Sequence, residues 1–221
     1  MESNVMVYLM TGFLDSGKTQ FLKFTLEQDY FQIDGKTLLI LCEEGEEEYN
    51  PMEMLKYGVV IEKIEDQEDL TEEYLEELNR KHEPERVVVE YNGMWKVSDF
   101  ESMKLPDGWE IEQKLTTVDA STFQMYLTNL KPLFVEMVRG AELVLFNRCE
   151  DLKPLPGYRR SVKVVSPQAE VIFEDEEGEI ENIFEDDVPY DLKAPVIQIA
   201  REDYGIWYVD MMENPDRYKG K

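Results

Sequence analysis

The stretch that most limits how this chain can fold is "VYLMTGFLDSGKTQFLKF", residues 7–24. The apolar run at residues 5–10 predicts a short strand. The spacing of Leu22 and Leu26, with Phe21 and Phe24 beside them, predicts a helix over residues 18–30. Between the two stand Gly12, four residues, Gly17, Lys18 and Thr19, at the spacing of a phosphate-binding loop. Each residue type serves that chemistry differently. Gly17 lets the main chain approach phosphate oxygens, and amides near the helix start, from Asp15 and Ser16 to Gln20, surround them. Lys18 can bridge the beta and gamma phosphates, and Thr19 can supply an Mg2+ ligand. The Asp15 carboxylate would repel phosphate if it faced inward, so it either turns away, meets a cation or caps the helix start.

Downstream the same alternation continues. Residues 37–42 are almost continuously apolar, as expected of a parallel strand covered on both faces. Further strands are predicted at 59–64, 87–89, 114–118, 143–146 and 162–165, and a helix at 70–81 with Tyr74, Leu75 and Leu78 inward. The strand at 87–89 ends in Glu90 with Gly93 just beyond, and the one at 114–118 ends in Asp119. Residues 94–108 carry a mixed signal, a helix or an irregular crossing. Pro132 splits 122–139 into one kinked helix or two short ones, because it lacks the N–H an interior position needs. "KPLPGY" reads as a loop too short for a long helix. The expected fold is α/β, a three-layer P-loop NTPase sandwich with a mostly parallel central sheet over residues 1–168.

Forty-nine acidic against 23 basic side chains give a formal charge of −26, which opposes nucleic acid and anionic membranes as partners. A phosphate site is local and can draw on amides and one lysine whatever the long-range field. No window of 18 uncharged apolar residues and no N-terminal signal pattern occur, so a soluble, cytoplasmic chain is expected. Cys42, Cys149 and His82 are the sole thiols and imidazole. They cannot build a disulfide framework or a Cys/His zinc cluster, and His82 is expected at the surface.

From residue 169 the composition changes. Eleven acids and no base lie between Glu170 and Asp191. Val171, Ile172, Phe173, Ile180, Ile183 and Phe184 nevertheless argue against simple disorder. A hairpin around Gly178 and a strand at 195–200 are predicted. Tyr204, Trp207 and Tyr208 suit an interface or a finished core. Residues 169–221 are therefore read as an acidic and aromatic extension that supplies edge strands or begins a truncated second domain.

Taken in order, the motifs resemble those of the CobW, HypB and UreG group of P-loop GTPases, most closely its CobW-like branch, over residues 5–175. "TGFLDSGKTQFL" is similar to that group's Thr-Gly-Phe-Leu-Gly-x-Gly-Lys-Thr-Thr-x-Leu. "LILCEEGE" resembles its strand and acidic switch, "VVVEYNG" its strand ending in Glu-x-x-Gly, and "TTVDASTF" its Val-Asp-Ala-x-x-Phe. "GAELVLFNRCEDL" is similar to its Ala-Asp-x-x-x-x-Asn-Lys-x-Asp-Leu, and "VKVVSPQAEVI" to its Asn-Pro-x-Ala stretch. The Cys-x-Cys-Cys metal motif of CobW-like proteins has no counterpart near "KYGVVIEKIED". Without thiolates the warrant for a soft metal such as zinc goes, and clustered carboxylates would favour hard ions.

The resemblance implies Mg2+-dependent binding of GTP or GDP with slow hydrolysis, in a switch or metalloprotein maturation factor that works with a protein client or by self-association. Lys18, Glu43 and Glu90 are the implied catalytic residues, and Thr19, Glu43 and Glu90 the metal ligands. Glu43 and Glu46 are read either as a switch that holds Mg2+ through water or as an exposed charged loop. Gly93 would allow close approach to the gamma phosphate, or only shape a turn. Asp119 is read as a cap or as a contact to nucleotide or switch. Asn147, Arg148 and Glu150 would read the base, with Glu150 accepting the N1 and N2 protons of guanine and Asp151 an alternative one residue on. Two other classes share the phosphate loop, an ATPase or small-molecule kinase and a non-hydrolysing nucleotide-gated scaffold.

Overall fold

The computed structural model describes residues 4–150, 155–180 and 188–220. Its sheet has the strand order β3-β2-β4-β1-β5-β6-β7-β8. The strands are β1 (Val5–Thr11), β2 (Thr37–Leu41), β3 (Val59–Lys63), β4 (Arg86–Glu90), β5 (Trp109–Asp119), β6 (Leu143–Asn147), β7 (Glu170–Asp175) and β8 (Gly178–Glu179). All pair in parallel except β7 with β8.

Every residue of β2 and β4 is buried, and residues 38–41 and 87–89 read as apolar runs, the second bounded by the buried charges of Arg86 and Glu90. Alternation sends their side chains to two separate cores. Leu38, Ile40, Val87 and Val89 face α3 (Glu72–His82), α4 (Val97–Glu101), α5 (Phe123–Asn129), α6 (Lys131–Val138) and α7 (Leu155–Lys163). Leu39, Leu41 and Val88 face α1 (Lys18–Glu27) and α2 (Pro51–Met54). The result is the expected three-layer α/β sandwich. One aromatic knot ties the first core together, with Phe123 5.2 Å from Phe134, 5.1 Å from Phe146 and 4.7 Å from Tyr158.

Local signals explain most boundaries. Thr71 caps α3, its Oγ1 accepting from the Tyr74 amide at 3.1 Å, and basic residues Arg80 and Lys81 close the last turn. Pro132 sits in the first turn of α6, where its missing N–H costs nothing, so residues 122–139 form two helices.

Two expected strands are absent. Residues 162–165 are not a strand, because α7 runs through Lys163 and presents Tyr158 and Val162, one turn apart, to the core. Pro156, read as a loop marker in "KPLPGY", lies in the first turn of that helix and starts it. The strand beside β6 is β7, whose Val171 and Phe173 point inward. Residues 195–200 join no ladder. Their alternation half-buries Ile197 and Ile199 against a small cluster around Tyr190 and Ile206.

The hairpin at Gly178 forms, with Asp175 opposite Gly178, while Ile183 and Phe184 lie outside the described residues. The cluster around Tyr190 belongs to α8 (Tyr204–Glu213), whose Trp207 is half-buried there while Tyr204 and Tyr208 stay exposed. Among the described residues, no helix is long and apolar enough to cross a membrane.

Candidate nucleotide-binding site

The parallel registers align the carboxyl ends of five strands. Met10 and Leu41 are both level with Glu90, Thr11 with Thr116, and Asp119 with Asn147. Open α/β sheets place their ligands at this edge. The loop leaving β1 is tied down before it reaches α1. Phe13 stacks on Tyr126 of α5 at 4.1 Å, and the Ser16 hydroxyl lies 2.9 Å from that of Thr117.

Three glycines of the site are required by contact: a Cβ on Gly12, at φ +146°, would lie 2.5 Å from the Thr117 carbonyl oxygen. Gly17 has φ +91°, and a Cβ there would lie 2.5 Å from Asn147 Nδ2. A Cβ on Gly93 would lie 2.5 Å from the Gly12 carbonyl oxygen and 2.7 Å from Phe13 Cα. Asp15 adopts φ +59° without being glycine. Its carboxylate lies beside Gly45 of the acidic loop.

Lys18 is buried inside this loop. Its Nζ donates to the carbonyls of Gly12 and Phe13 at 2.9 Å each and forms an ion pair with Glu43. Next to it the Thr19 hydroxyl donates to Glu90 Oε1 at 2.6 Å, and the Tyr49 phenol donates to Glu90 Oε2 at 2.5 Å. Burial holds the Glu90 carboxyl above its ordinary range, although these two donors and Lys18 favour the ionised form. An oxygen pair of this kind, hydroxyl beside carboxylate, fits a hard divalent cation. The cleft over Lys18 and Thr19 is also lined by Asp15, Gln20, Glu46 and Arg148.

A second cleft of about 420 Å3 adjoins it across Gly17 and Gln20. Asn147, Arg148 and Glu150 line it from the loop after β6. Asn147 Nδ2 donates to the Ser16 carbonyl at 2.8 Å, and its Oδ1 is buried without a partner. Arg148, at φ +53°, donates through Nη1 to the Asp15 carbonyl at 2.9 Å and to Asp119 Oδ2 at 2.8 Å. Asp119 Oδ1 in turn accepts from the Ser121 amide and hydroxyl, so Asp119 caps its own turn and clamps the base loop.

The expected residues thus gather at one edge: Gly12, Asp15, Ser16, Gly17, Lys18, Thr19, Gln20, Glu43, Glu90 and Gly93 around the first cleft, Asn147, Arg148 and Glu150 around the second. Asp151 lies outside the described residues. The "SPQA" stretch lies elsewhere, at the amino end of β7, where the buried Ser166 hydroxyl donates to the Ala141 carbonyl.

Sequence reasoning missed Tyr49, hidden in an acidic run that otherwise reads as exposed, and Thr117. It also missed Glu174, Asp175 and Glu176, which line the second cleft at the carboxyl end of β7 and in the turn beyond it. Neither cysteine is ionised in this setting. Burial, with Glu90 and Glu43 nearby, pushes the Cys42 thiol far up, and burial pushes that of Cys149 up to about 12.

Comparison with known proteins agrees with this architecture. Residues 6–173 match the model of the CobW/HypB/UreG nucleotide-binding domain. No curated protein sequence matches the chain. Among solved structures, the hydrogenase maturation factor HypB from Archaeoglobus fulgidus shares 18% identity over 80% of this chain and 83% of its own, with a TM-score of 0.56. The Zn(II)-bound YjiA GTPase from E. coli shares 22% identity over 81% of this chain and 60% of its own, with a TM-score of 0.57. At these identities the two structures speak for the fold. The glycine-bounded loop, the sheet order and the matched span together make this chain a member of the CobW/HypB/UreG nucleotide-binding family.

Proposed function

We propose that the chain binds GTP with Mg2+ and hydrolyses it slowly, as a switch or metalloprotein maturation factor of the CobW-like kind. The observation that carries this reading is the adjacency of Lys18, buried beneath the glycine loop, to the Thr19 and Glu90 oxygens 2.6 Å apart. Lys18 would hold the beta and gamma phosphates, and amides of the Gly12–Gln20 loop would surround them. Thr19 would hold the cation, with Glu90 reaching it directly or through water. Bound there, Mg2+ would neutralise charge developing on the transferred phosphoryl group. Glu90, already accepting from Thr19 and Tyr49, would also orient the attacking water.

The second cleft favours guanine over adenine. Glu150 offers a carboxylate to the N1 and N2 protons of guanine, and adenine has no such donor pair. Arg148 keeps a long stem and positive head beside the cleft, clamped by Asp119. An ATPase or small-molecule kinase shares the phosphate loop but has no use for this carboxylate. A protein client or a second copy of the chain would complete the switch.

Titration with GTP and with ATP, each with and without Mg2+, followed by phosphate release, tests the reading. Tighter GTP binding that needs Mg2+, with slow phosphate release, is expected. Equal affinity for ATP would remove the base assignment, tight binding without phosphate release would favour the scaffold, and release dependent on an acceptor other than water would favour a kinase.

A further inference from the structure

An ammonium has three N–H donors, and those of Lys18 are all engaged: the Gly12 carbonyl, the Phe13 carbonyl and Glu43. Glu43 uses both of its oxygens. Oε2 meets Lys18, and Oε1 accepts from the Gly93 amide at 3.1 Å. The pair is withdrawn from solvent, with side-chain exposures of 3% for Lys18 and 8% for Glu43. One anionic group therefore bridges a buried ammonium and the main-chain amide of Gly93, which packs against the glycine loop. That is the donor set a terminal phosphate oxygen would seek.

Around Glu43 the chain is anchored at both ends and exposed in the middle. The Cys42 amide donates to the Glu90 carbonyl at 2.9 Å, and Asn92 Nδ2 donates to the Cys42 carbonyl at 3.1 Å. Glu44, Glu46, Glu47 and Glu48 are then exposed, and Tyr49 returns to Glu90. The Glu43 side chain can thus swing off Lys18 without disturbing β2.

We infer that the Glu43 carboxylate holds the place of a nucleotide's terminal phosphate and so sets the preference between triphosphate and diphosphate. This rests on the nucleotide-binding reading and not on the identity of the base. A triphosphate has to displace Glu43 from both Lys18 and Gly93, whereas a diphosphate leaves it in place, its beta phosphate drawing on a Lys18 N–H now given to the Gly12 or Phe13 carbonyl. Displacement frees the first residue of the acidic loop, whose Glu44 and Glu47 meet Lys63 and Lys23 on the surface. The loop therefore changes its tether when a third phosphate arrives.

Full-length wild type, Glu43→Gln and Glu43→Asp are titrated in Mg2+ with fluorescent GDP and with a fluorescent non-hydrolysable GTP analogue. Removing the competing charge is expected to tighten Glu43→Gln for the triphosphate about tenfold relative to GDP. Glu43→Asp, which is too short to bridge, shifts the same way by less. An unchanged ratio overturns the inference, and so does weaker triphosphate binding, the sign of a metal ligand. Absence of any nucleotide binding by wild type would instead overturn the nucleotide reading itself. Crystals of wild type with each nucleotide give an answer free of variants. Glu43 is expected on Lys18 with GDP and off it with the triphosphate analogue, and the inference fails if its position is the same in both.

Discussion

Asn147 Nδ2 donates to the Ser16 carbonyl at 2.8 Å, which joins the loop after β6 to the glycine loop before α1. The same nitrogen lies where a side chain on Gly17 would be, so Asn147 packs directly under the point at which phosphates are expected. Replacing it with Ala removes one hydrogen bond and strips support from the loop. Affinity for GTP and ATP is expected to fall alike, by about 10- to 100-fold. Parallel titrations of both nucleotides check this, and a loss confined to GTP would show that Asn147 only reads the base.

Glu150 should behave in the opposite way. It lines the second cleft but touches neither Lys18 nor Thr19. Glu150→Gln exchanges an acceptor for a donor at one oxygen and is expected to reduce the preference for GTP over ATP by about tenfold or more. Phosphate contacts should be spared, so the affinity for ATP stays near that of wild type. If GTP and ATP weaken equally, the neighbouring Glu174, Asp175 or Glu176 becomes the candidate base-reading carboxylate.

What could be read in advance follows the range of the forces involved. Strands β2 and β4 announce themselves because burial on both faces is written into consecutive apolar residues, four in β2 and three in β4. The glycine loop is legible because its geometry depends on neighbours in sequence. Residues 162–165 mislead because two valines after a lysine look like a strand. Val162 is instead the end of an i,i+4 pair with Tyr158 on a proline-started helix. Partners far apart in the chain were invisible. The Lys18–Glu43 pair and the Tyr49–Glu90 hydrogen bond join residues 25 and 41 positions apart. Nothing local distinguishes Glu43 from the four exposed glutamates that follow it.

Asp15 stands where the family motif has glycine, in a left-handed conformation at φ +59°. Two costs follow, a small one from backbone strain and a second from a carboxylate at the rim of a phosphate site. Asp15→Gly removes both. The unfolded chain gains freedom and offsets part of the strain relief, so the change in stability is expected to stay within about 1 kcal/mol. Nucleotide affinity is expected to rise several-fold or more, with the larger gain at low ionic strength, where charge is least screened. Isothermal titration at two salt concentrations checks it, and salt-independent affinity equal to wild type would place the carboxylate beyond reach of the phosphates.

The Glu90 carboxyl, raised by burial, makes stability depend on pH. Its folded-state pKa lies above the ordinary value of 4.5, so the native protein holds this proton to higher pH than the unfolded chain does. Stability from this group is greatest below 4.5 and declines as pH rises through the folded pKa. Glu90→Gln should remove that decline. The apo variant is expected to be as stable as wild type or more so at pH 7, with a flatter profile above pH 4.5, yet to bind Mg2+-triphosphate far more weakly. Denaturant unfolding across pH 4–8 tests the first half, and a profile parallel to that of wild type would mean the raised pKa is not linked to folding.

Asp210 of α8 is fully buried and has an unusual number of donors for one carboxylate. Asn214 Nδ2 at 2.8 Å, Arg217 Nη1 at 2.9 Å and the Tyr218 hydroxyl all converge on it. Yet α8 meets α7 largely through charge, with Glu213 paired to Arg159 and to Lys163. Ile206 and Asp210 are the only residues of α8 that are buried. The last turns are therefore folded around one acidic side chain beside the small apolar cluster of Tyr190 and Ile206. Asp210→Ala removes the buried acceptor shared by Asn214, Arg217 and Tyr218, and breaking a buried pair from one side typically costs about 3–5 kcal/mol. Because the aromatic knot around Phe123 lies in a separate core, the loss should fall on the module alone. Hydrogen exchange is expected to lose protection across residues 204–218 while amides of β1, β4 and β6 keep theirs. Loss of protection throughout the sheet would mean instead that α8 and the sandwich fold as one cooperative unit.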